Sequence, residues 1–143
     1  GLDWLSRIKP KKRMAPWVGT PHKGEVKKLL GDDFSDKWSN IIKLKKLYGG
    51  DWILKGPGTL VSEERRLWIN LFSNGWLGTA GMGDVLSGII AGLWSSGSLS
   101  PFRSSVFLQT RCAEYLISKN GAGLTAGQLS EVIGFNIGQI KRA

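Results

Sequence analysis

Apolar residues along this chain fall into two rhythms, one of helical spacing and one of short unbroken runs. Val26, Leu29 and Leu30 predict a helix over residues 24–30, ended by Gly31. A longer stripe follows over residues 35–48, where Trp38, Ile41, Ile42, Leu44 or Lys45, and Tyr48 trace one face. Ser35 is its expected N-cap, and Gly49-Gly50 stops it. Nearer the start, residues 2–8 read as a short helical turn leading into Lys9-Pro10-Lys11-Lys12-Arg13, an exposed connector too charged to be buried. The unbroken runs predict strands at 17–19, 51–55, 59–61 and 67–70, with Gly56-Pro57-Gly58 as a turn. Residues 74–83 are glycine-rich and irregular. Asp84 is then expected to open a helix through Trp94, with Val85, Leu86, Ile89, Ile90 and Leu93 on its apolar side. Ser87, Gly88, Ala91 and Gly92 give that helix a smooth second face suited to packing on a sheet. Pro101 fits the first position of a helix over 101–118, and Thr125 opens the last helix, over 125–139. Helix and strand alternate, which predicts a layered α/β fold.

Composition narrows the class. With 143 residues, 41% hydrophobic and 22% charged, the chain is globular and long enough to bury a core as one domain. A single Cys112 excludes an internal disulfide framework, and with His22 the only histidine a zinc site of His and Cys ligands is excluded too. No metal ligands are therefore expected. The absence of about 18 consecutive apolar residues and of a secretory signal leads us to expect a soluble, cytoplasmic protein without a membrane partner. The chain begins Gly1-Leu2-Asp3 without an initiator Met, as expected of a processed product or a piece of something longer. Charge is lopsided: of a net +9, residues 1–50 carry 12 basic and 5 acidic side chains. Nucleic acid is thus one reading. The other is a solvated helix face carrying Lys43, Lys45 and Lys46, and no helix-turn-helix or RNA-binding signature accompanies them.

Three segments carry candidate chemistry. Gly81-Met82-Gly83-Asp84 runs from a glycine-rich loop into a helix, where free backbone N–H groups and the helix dipole make an anion site. Asp84 either caps those N–H groups or, if a phosphate takes them, stands free as a base. Thr20-Pro21-His22-Lys23-Gly24-Glu25 lies between a strand and a helix, where α/β proteins place ligand contacts. His22 is there either a structural hydrogen-bonder or a ligand contact, and Glu25 favours the helix start electrostatically. Lys55-Gly56-Pro57-Gly58-Thr59 is either a hairpin turn with a solvated lysine or a phosphate contact.

In this order the segments resemble the ADP/ATP-dependent NAD(P)H-hydrate dehydratase family, a branch of the ribokinase-like superfamily. That family carries T-P-H-x-G-E before a helix, a strand running into K-G-x-x-T, and a G-N-x-x-[LM]-A-[TG]-[GA]-G-x-G-D-V-L-S-G-I-I loop and helix. The counterparts here are residues 20–25, 53–60 and 74–90, with Gly78 where the family usually has Ala. Leu124-Thr125-Ala126 resembles a late G-L-x-A-x-[DQ]-L segment, and Leu2-Asp3 the end of an L-D-A-D-A-L strand. The resemblance implies a ribokinase-like three-layer α/β/α fold with helices on a mostly parallel sheet. It implies repair of hydrated NADH or NADPH, with phosphoryl transfer from ADP or ATP to the C6 hydroxyl followed by phosphate elimination. Asp84 would be the base and a substrate contact. Gly81, Met82 and Gly83 would hold the transferring phosphate, Gly83 with Lys55, Gly56, Pro57, Gly58 and Thr59 would contact the adenine nucleotide, Asn74 would be a further cofactor contact, and His22 would contact the hydrated dinucleotide. Mg²⁺ bridging phosphates and a homo-oligomeric state are implied as well.

Two departures matter. Family domains extend well upstream of the L-D-A-D strand, so residues 1–143 are expected to be the C-terminal portion of one such domain. The family's A-V-x-x-H-G-x-A-G-D segment is shortened here, and residues 111–116 carry neither its His nor its Asp. A ribokinase-like small-molecule kinase of the hydroxymethylpyrimidine kinase type is the enzyme alternative, and a truncated non-catalytic remnant the other.

Overall fold

Among the described residues, six α-helices and four strands form where the two rhythms change over. The computed structural model describes residues 2–7, 15–72, 75–121 and 123–140. It divides into two units, residues 1–71 and 72–143. The basic run at 9–13 and Asn74 lie outside the described residues.

The first unit holds α1 (Leu2–Leu5), β1 (Val18–Gly19), α2 (Lys23–Leu30), α3 (Lys37–Tyr48), β2 (Asp51–Leu54), β3 (Thr59–Glu63) and β4 (Arg66–Asn70). Its sheet runs β1-β2-β3-β4. β1 and β2 are parallel, with Gly19 opposite Trp52. The expected mostly parallel sheet stops there: β2–β3 and β3–β4 are antiparallel. The connections force this, because residues 55–58 and 64–65 are far too short for the crossover that parallel neighbours need. Gly19 is required by close approach, since a Cβ there would stand 2.6 Å from the Trp52 ring. Trp52 is fully buried, meets Trp17 edge-on at 4.9 Å, and donates its indole N–H to Gly49 O at 2.9 Å. Around it pack Val26, Leu29, Leu30, Ile41, Leu44 and Leu60, each contributing about 2 kcal/mol by burial.

Several local expectations shift. Asp36, not Ser35, caps α3, its Oδ1 accepting from the Trp38 and Ser39 N–H groups at 2.9 and 3.0 Å. The Ser39 side chain first, and then these backbone N–H groups, hold its carboxyl below the usual range. Ser35 instead donates its N–H to Asn40 Oδ1 at 2.8 Å. The buried face of α3 is narrower than the stripe suggested, because Ile41, Leu44 and Tyr48 point inward while Trp38 and Ile42 are exposed. Leu2-Asp3 lies in a helical turn rather than at a strand end: Ser6 N–H closes on Leu2 O at 3.1 Å, and Lys28 holds Asp3 at 2.9 Å.

The basic side of α3 is spent internally. Lys45 bonds Asp51 at 2.6 Å and Glu64 O at 2.7 Å, which secures a hairpin whose Glu64 sits at φ 58°. Lys43 donates to Asp33 O at 2.5 Å, and Lys37 reaches the 56–58 turn. A solvated face describes Lys46 alone among these.

The second unit is helical: α4 (Met82–Ser95), α5 (Pro101–Asn120) and α6 (Ala126–Ile140), with a 3₁₀ turn at Gly75–Gly78. Met82, Ile89, Cys112, Ala113, Leu116, Leu129 and Ile133 form its core. The smooth second face of α4 is exposed at Ser87, Gly88, Ala91 and Gly92. Thr125 caps α6, exchanging bonds with Gln128 through its N–H at 3.0 Å and its Oγ1 at 3.3 Å.

Candidate functional site

In the first unit, the parallel pairing of β1 and β2 brings two of the predicted segments together at their strand ends. Lys55 N–H donates to Pro21 O at 2.9 Å, so Thr20-Pro21-His22 and the lysine turn leave the sheet side by side. His22 is exposed and caps α2, its Nδ1 accepting from the N–H groups of Gly24 at 3.0 Å and Glu25 at 3.3 Å. Glu25 Oε2 reciprocates on the His22 N–H at 2.8 Å, completing a capping box. The Nδ1 role leaves only Nε2, 3.5 Å from Glu25, to meet a ligand. Glu25 thus serves the helix start, as its position predicted.

Beside these ends lies a cleft of about 360 Å³. Lys55, Gly56 and Pro57 line one side, and Lys23, Phe34 and Lys37 stand among the residues of the other. The Lys55 ammonium has no hydrogen bond or ion pair among the described residues. Thr59 Oγ1 donates to Gly56 O at 2.9 Å, while Lys37 Nζ donates to Pro57 O at 2.9 Å and Gly58 O at 2.8 Å. Burial lowers the Lys37 pKa from the usual lysine value. Sequence reasoning missed Lys37. Its one local signal is a cation on the first turn of a helix, where the dipole favours an anion.

In the second unit, α4 starts two residues earlier than Asp84. Gly81 is its N-cap, at φ 83°, with no side-chain cap bond. Glycine is needed there twice over, for the left-handed backbone and because a Cβ would lie 2.9 Å from Ala126 Cβ. The Asp84 and Val85 N–H groups both close on Gly81 O at 3.1 Å, and Met82 N–H on Thr79 O at 3.3 Å. The Gly83 N–H has no acceptor among the described residues. The Asp84 side chain is exposed and makes no hydrogen bond or ion pair among them. Of the two readings for Asp84, capping is therefore absent. The Met82 side chain is buried in the helical core, and its carbonyl accepts from buried Gln109 Nε2 at 2.8 Å. Any ligand contact by Met82 is thus through its backbone. Gln109, a polar residue on the buried face of α5, anchors this turn and was not anticipated.

Among the described residues no three His, Cys, Asp or Glu side chains converge as for a metal. No helix among them is long and apolar enough to cross a membrane.

A family model described as NAD(P)H-hydrate dehydratase matches residues 1–134. The chain belongs to that family. The bifunctional NAD(P)H-hydrate repair enzyme of Coxiella burnetii is 36% identical over 121 residues, 79% of this chain and 25% of that protein. The ADP/ATP-dependent NAD(P)H-hydrate dehydratase from Bacillus subtilis, co-crystallized with ATP/Mg²⁺, superposes with a TM-score of 0.75 at 27% identity. That match covers 91% of this chain and 50% of the Bacillus chain. A ribokinase-like superfamily protein from Enterococcus faecalis, 23% identical with a TM-score of 0.79, shares the fold over 96% of this chain and 50% of its own. The α/β expectation therefore holds for this dehydratase-family chain, whose fold is that of the Enterococcus protein. It spans a quarter of the Coxiella relative and about half of the two solved chains.

Proposed function

We propose that this chain serves the nucleotide-dependent dehydration of hydrated NADH or NADPH, with ADP or ATP as phosphoryl donor. The observation that carries the reading is the start of α4, where an uncommitted Asp84 carboxylate follows an unbonded Gly83 N–H on a glycine-capped turn. A free carboxylate beside a free donor suits a base next to a phosphoryl oxygen. Asp84 takes the proton of the C6 hydroxyl as that oxygen attacks the terminal phosphorus, whose bond to the bridging oxygen breaks so that AMP leaves from ADP or ADP from ATP. Phosphate then departs from C6 with the C–O electron pair, and loss of a C5 proton restores the ring double bond. Hydroxide, a poor leaving group, is thereby replaced by a good one.

The roles of Gly81, Met82 and Gly83 toward phosphate are backbone roles, and Asn74 joins them by its motif position. Lys55, with its unpaired ammonium, and the 56–59 turn contact the nucleotide, and His22 meets the hydrated dinucleotide through Nε2. A magnesium ion, when bound, neutralises phosphate charge. With no cluster of ligand side chains among the described residues, it would be carried by the phosphates, and no residue here is assigned to it. The family match runs through both units, which supports reading residues 1–143 as the C-terminal portion of one ribokinase-like domain. A cytoplasmic setting, where both dinucleotides and adenine nucleotides are found, completes the proposal.

The test supplies the chain with hydrated NADH, Mg²⁺ and ADP or ATP, and follows return of NADH absorbance near ~340 nm, with Asp84→Asn as the control. A folded wild-type chain that neither turns over nor binds nucleotide leaves the non-catalytic remnant in its place.

A further inference from the structure

We infer that Lys37 is a positioning residue for nucleotide binding: it presets the 56–58 turn so that the turn offers only backbone N–H donors. The inference rests on the reading of residues 55–59 as nucleotide contacts.

Every carbonyl of the turn is already taken. Thr59 Oγ1 holds Gly56 O, and Lys37 Nζ holds both Pro57 O and Gly58 O. What the turn has left is donors, because Pro57 has no N–H and the Gly56 and Gly58 N–H groups have no acceptor among the described residues. A trans peptide sets its C=O and N–H in opposite directions. With Pro57 O drawn toward Lys37, the Gly58 N–H therefore points away from the ammonium. A turn with glycines at φ 121° and φ 62° has other conformations open to it, and some would turn a carbonyl toward an incoming anion. Two bonds from one ammonium remove them.

The placement of Lys37 is costly by every local measure. It is a cation at a helix start, where the dipole opposes it. It is also partly buried, and desolvation lowers its pKa. An apolar residue there would escape both costs but make neither bond to the turn. The contact spans 20 residues to Pro57 and ties the start of α3 across the cleft to the turn. Lys55, on the same cleft, keeps its ammonium unpaired. One lysine shapes the loop and the other is left to meet the ligand.

The experiment titrates Mg·ATP and ADP into wild type, Lys37→Met and Lys37→Arg by calorimetry, follows the Gly56 and Gly58 amide NMR shifts, and records melting temperatures. We expect nucleotide to shift both amides in wild type, and Lys37→Met to bind about tenfold more weakly or worse. Its melting temperature should stay within about 5 °C of wild type, and its two glycine amides should already be displaced without ligand. Lys37→Arg, which also donates to two carbonyls, should recover most of the affinity. Wild-type affinity in Lys37→Met, with the glycine amides still shifting on binding, overturns the positioning role and leaves the nucleotide reading intact. Binding that leaves the glycine amides unmoved, or no binding by wild type, removes the nucleotide reading and the positioning role with it. A Lys37→Met chain that does not melt cooperatively also overturns the role, because Lys37 would then hold the fold rather than the loop.

Discussion

The two units treat their candidate residues in opposite ways. In residues 1–71 almost everything near the strand ends is fastened: His22 by its capping box, the 56–58 turn by Thr59 and Lys37, the β3–β4 hairpin by Lys45. In residues 72–143 the scaffold under the α4 turn is fixed through Gln109, yet the Gly83 N–H and the Asp84 carboxylate have no partner among the described residues. Recognition needs surfaces set in advance, because ordering them on binding costs affinity. A base must instead be free to take a proton, and a carboxylate committed to a cap is not. On the proposed function, that contrast divides binding from chemistry between two stretches of one chain.

Asp84→Asn tests the free end of that contrast with the largest expected effect. Turnover should fall by about 10²–10⁴-fold, while the melting temperature hardly moves, since no bond to the carboxylate is lost. Trp52→Ala should do the reverse. It removes a fully buried ring and leaves Gly49 O unpaired, so denaturant unfolding should show a loss of about 3–5 kcal/mol. Gly81→Ala should fall between them. A left-handed alanine costs about 1–2 kcal/mol, the Ala126 contact adds to it, and any phosphate binding at the turn should weaken in parallel.

The smallest effect is electrostatic. Burial raises the Cys112 thiol above its ordinary value. The folded chain therefore keeps the thiol protonated where the unfolded chain ionises. That contribution to stability is full below the ordinary thiol range and is lost as pH climbs beyond it. Melting temperatures at about pH 7 and about pH 9.5 should differ by less in Cys112→Ala than in wild type.

What was legible in the sequence was local. Glycine-rich turns, the strand runs and the order of the three motif segments are written in neighbouring residues, and the described parts of those segments lie on strand ends or helix starts. The N-cap of α3 was misplaced by one residue, because Ser35 and Asp36 both suit the position and only the backbone course decides. Trp38 and Ile42 look identical to core residues in a pattern, yet which side of α3 meets the sheet depends on β2 and β3. The antiparallel pairings were implicit in the short connections, but the hairpin at Glu64 has no glycine or asparagine to announce it. Lys37 was invisible for a deeper reason, since its partners lie 20 and 21 residues away.

The lysines of α3 have a consequence for how this protein meets its surroundings. Bonds from an ammonium to a carbonyl join a charge to a neutral dipole, so dissolved ions weaken them less than they weaken the attraction between two exposed charges. Lys37, and Lys45 at Glu64, should keep hold of their loops in concentrated brine, where the exposed Lys28–Asp3 and Arg111–Glu114 pairs let go. The loops beside the cleft should therefore keep one shape from dilute buffer to high ionic strength.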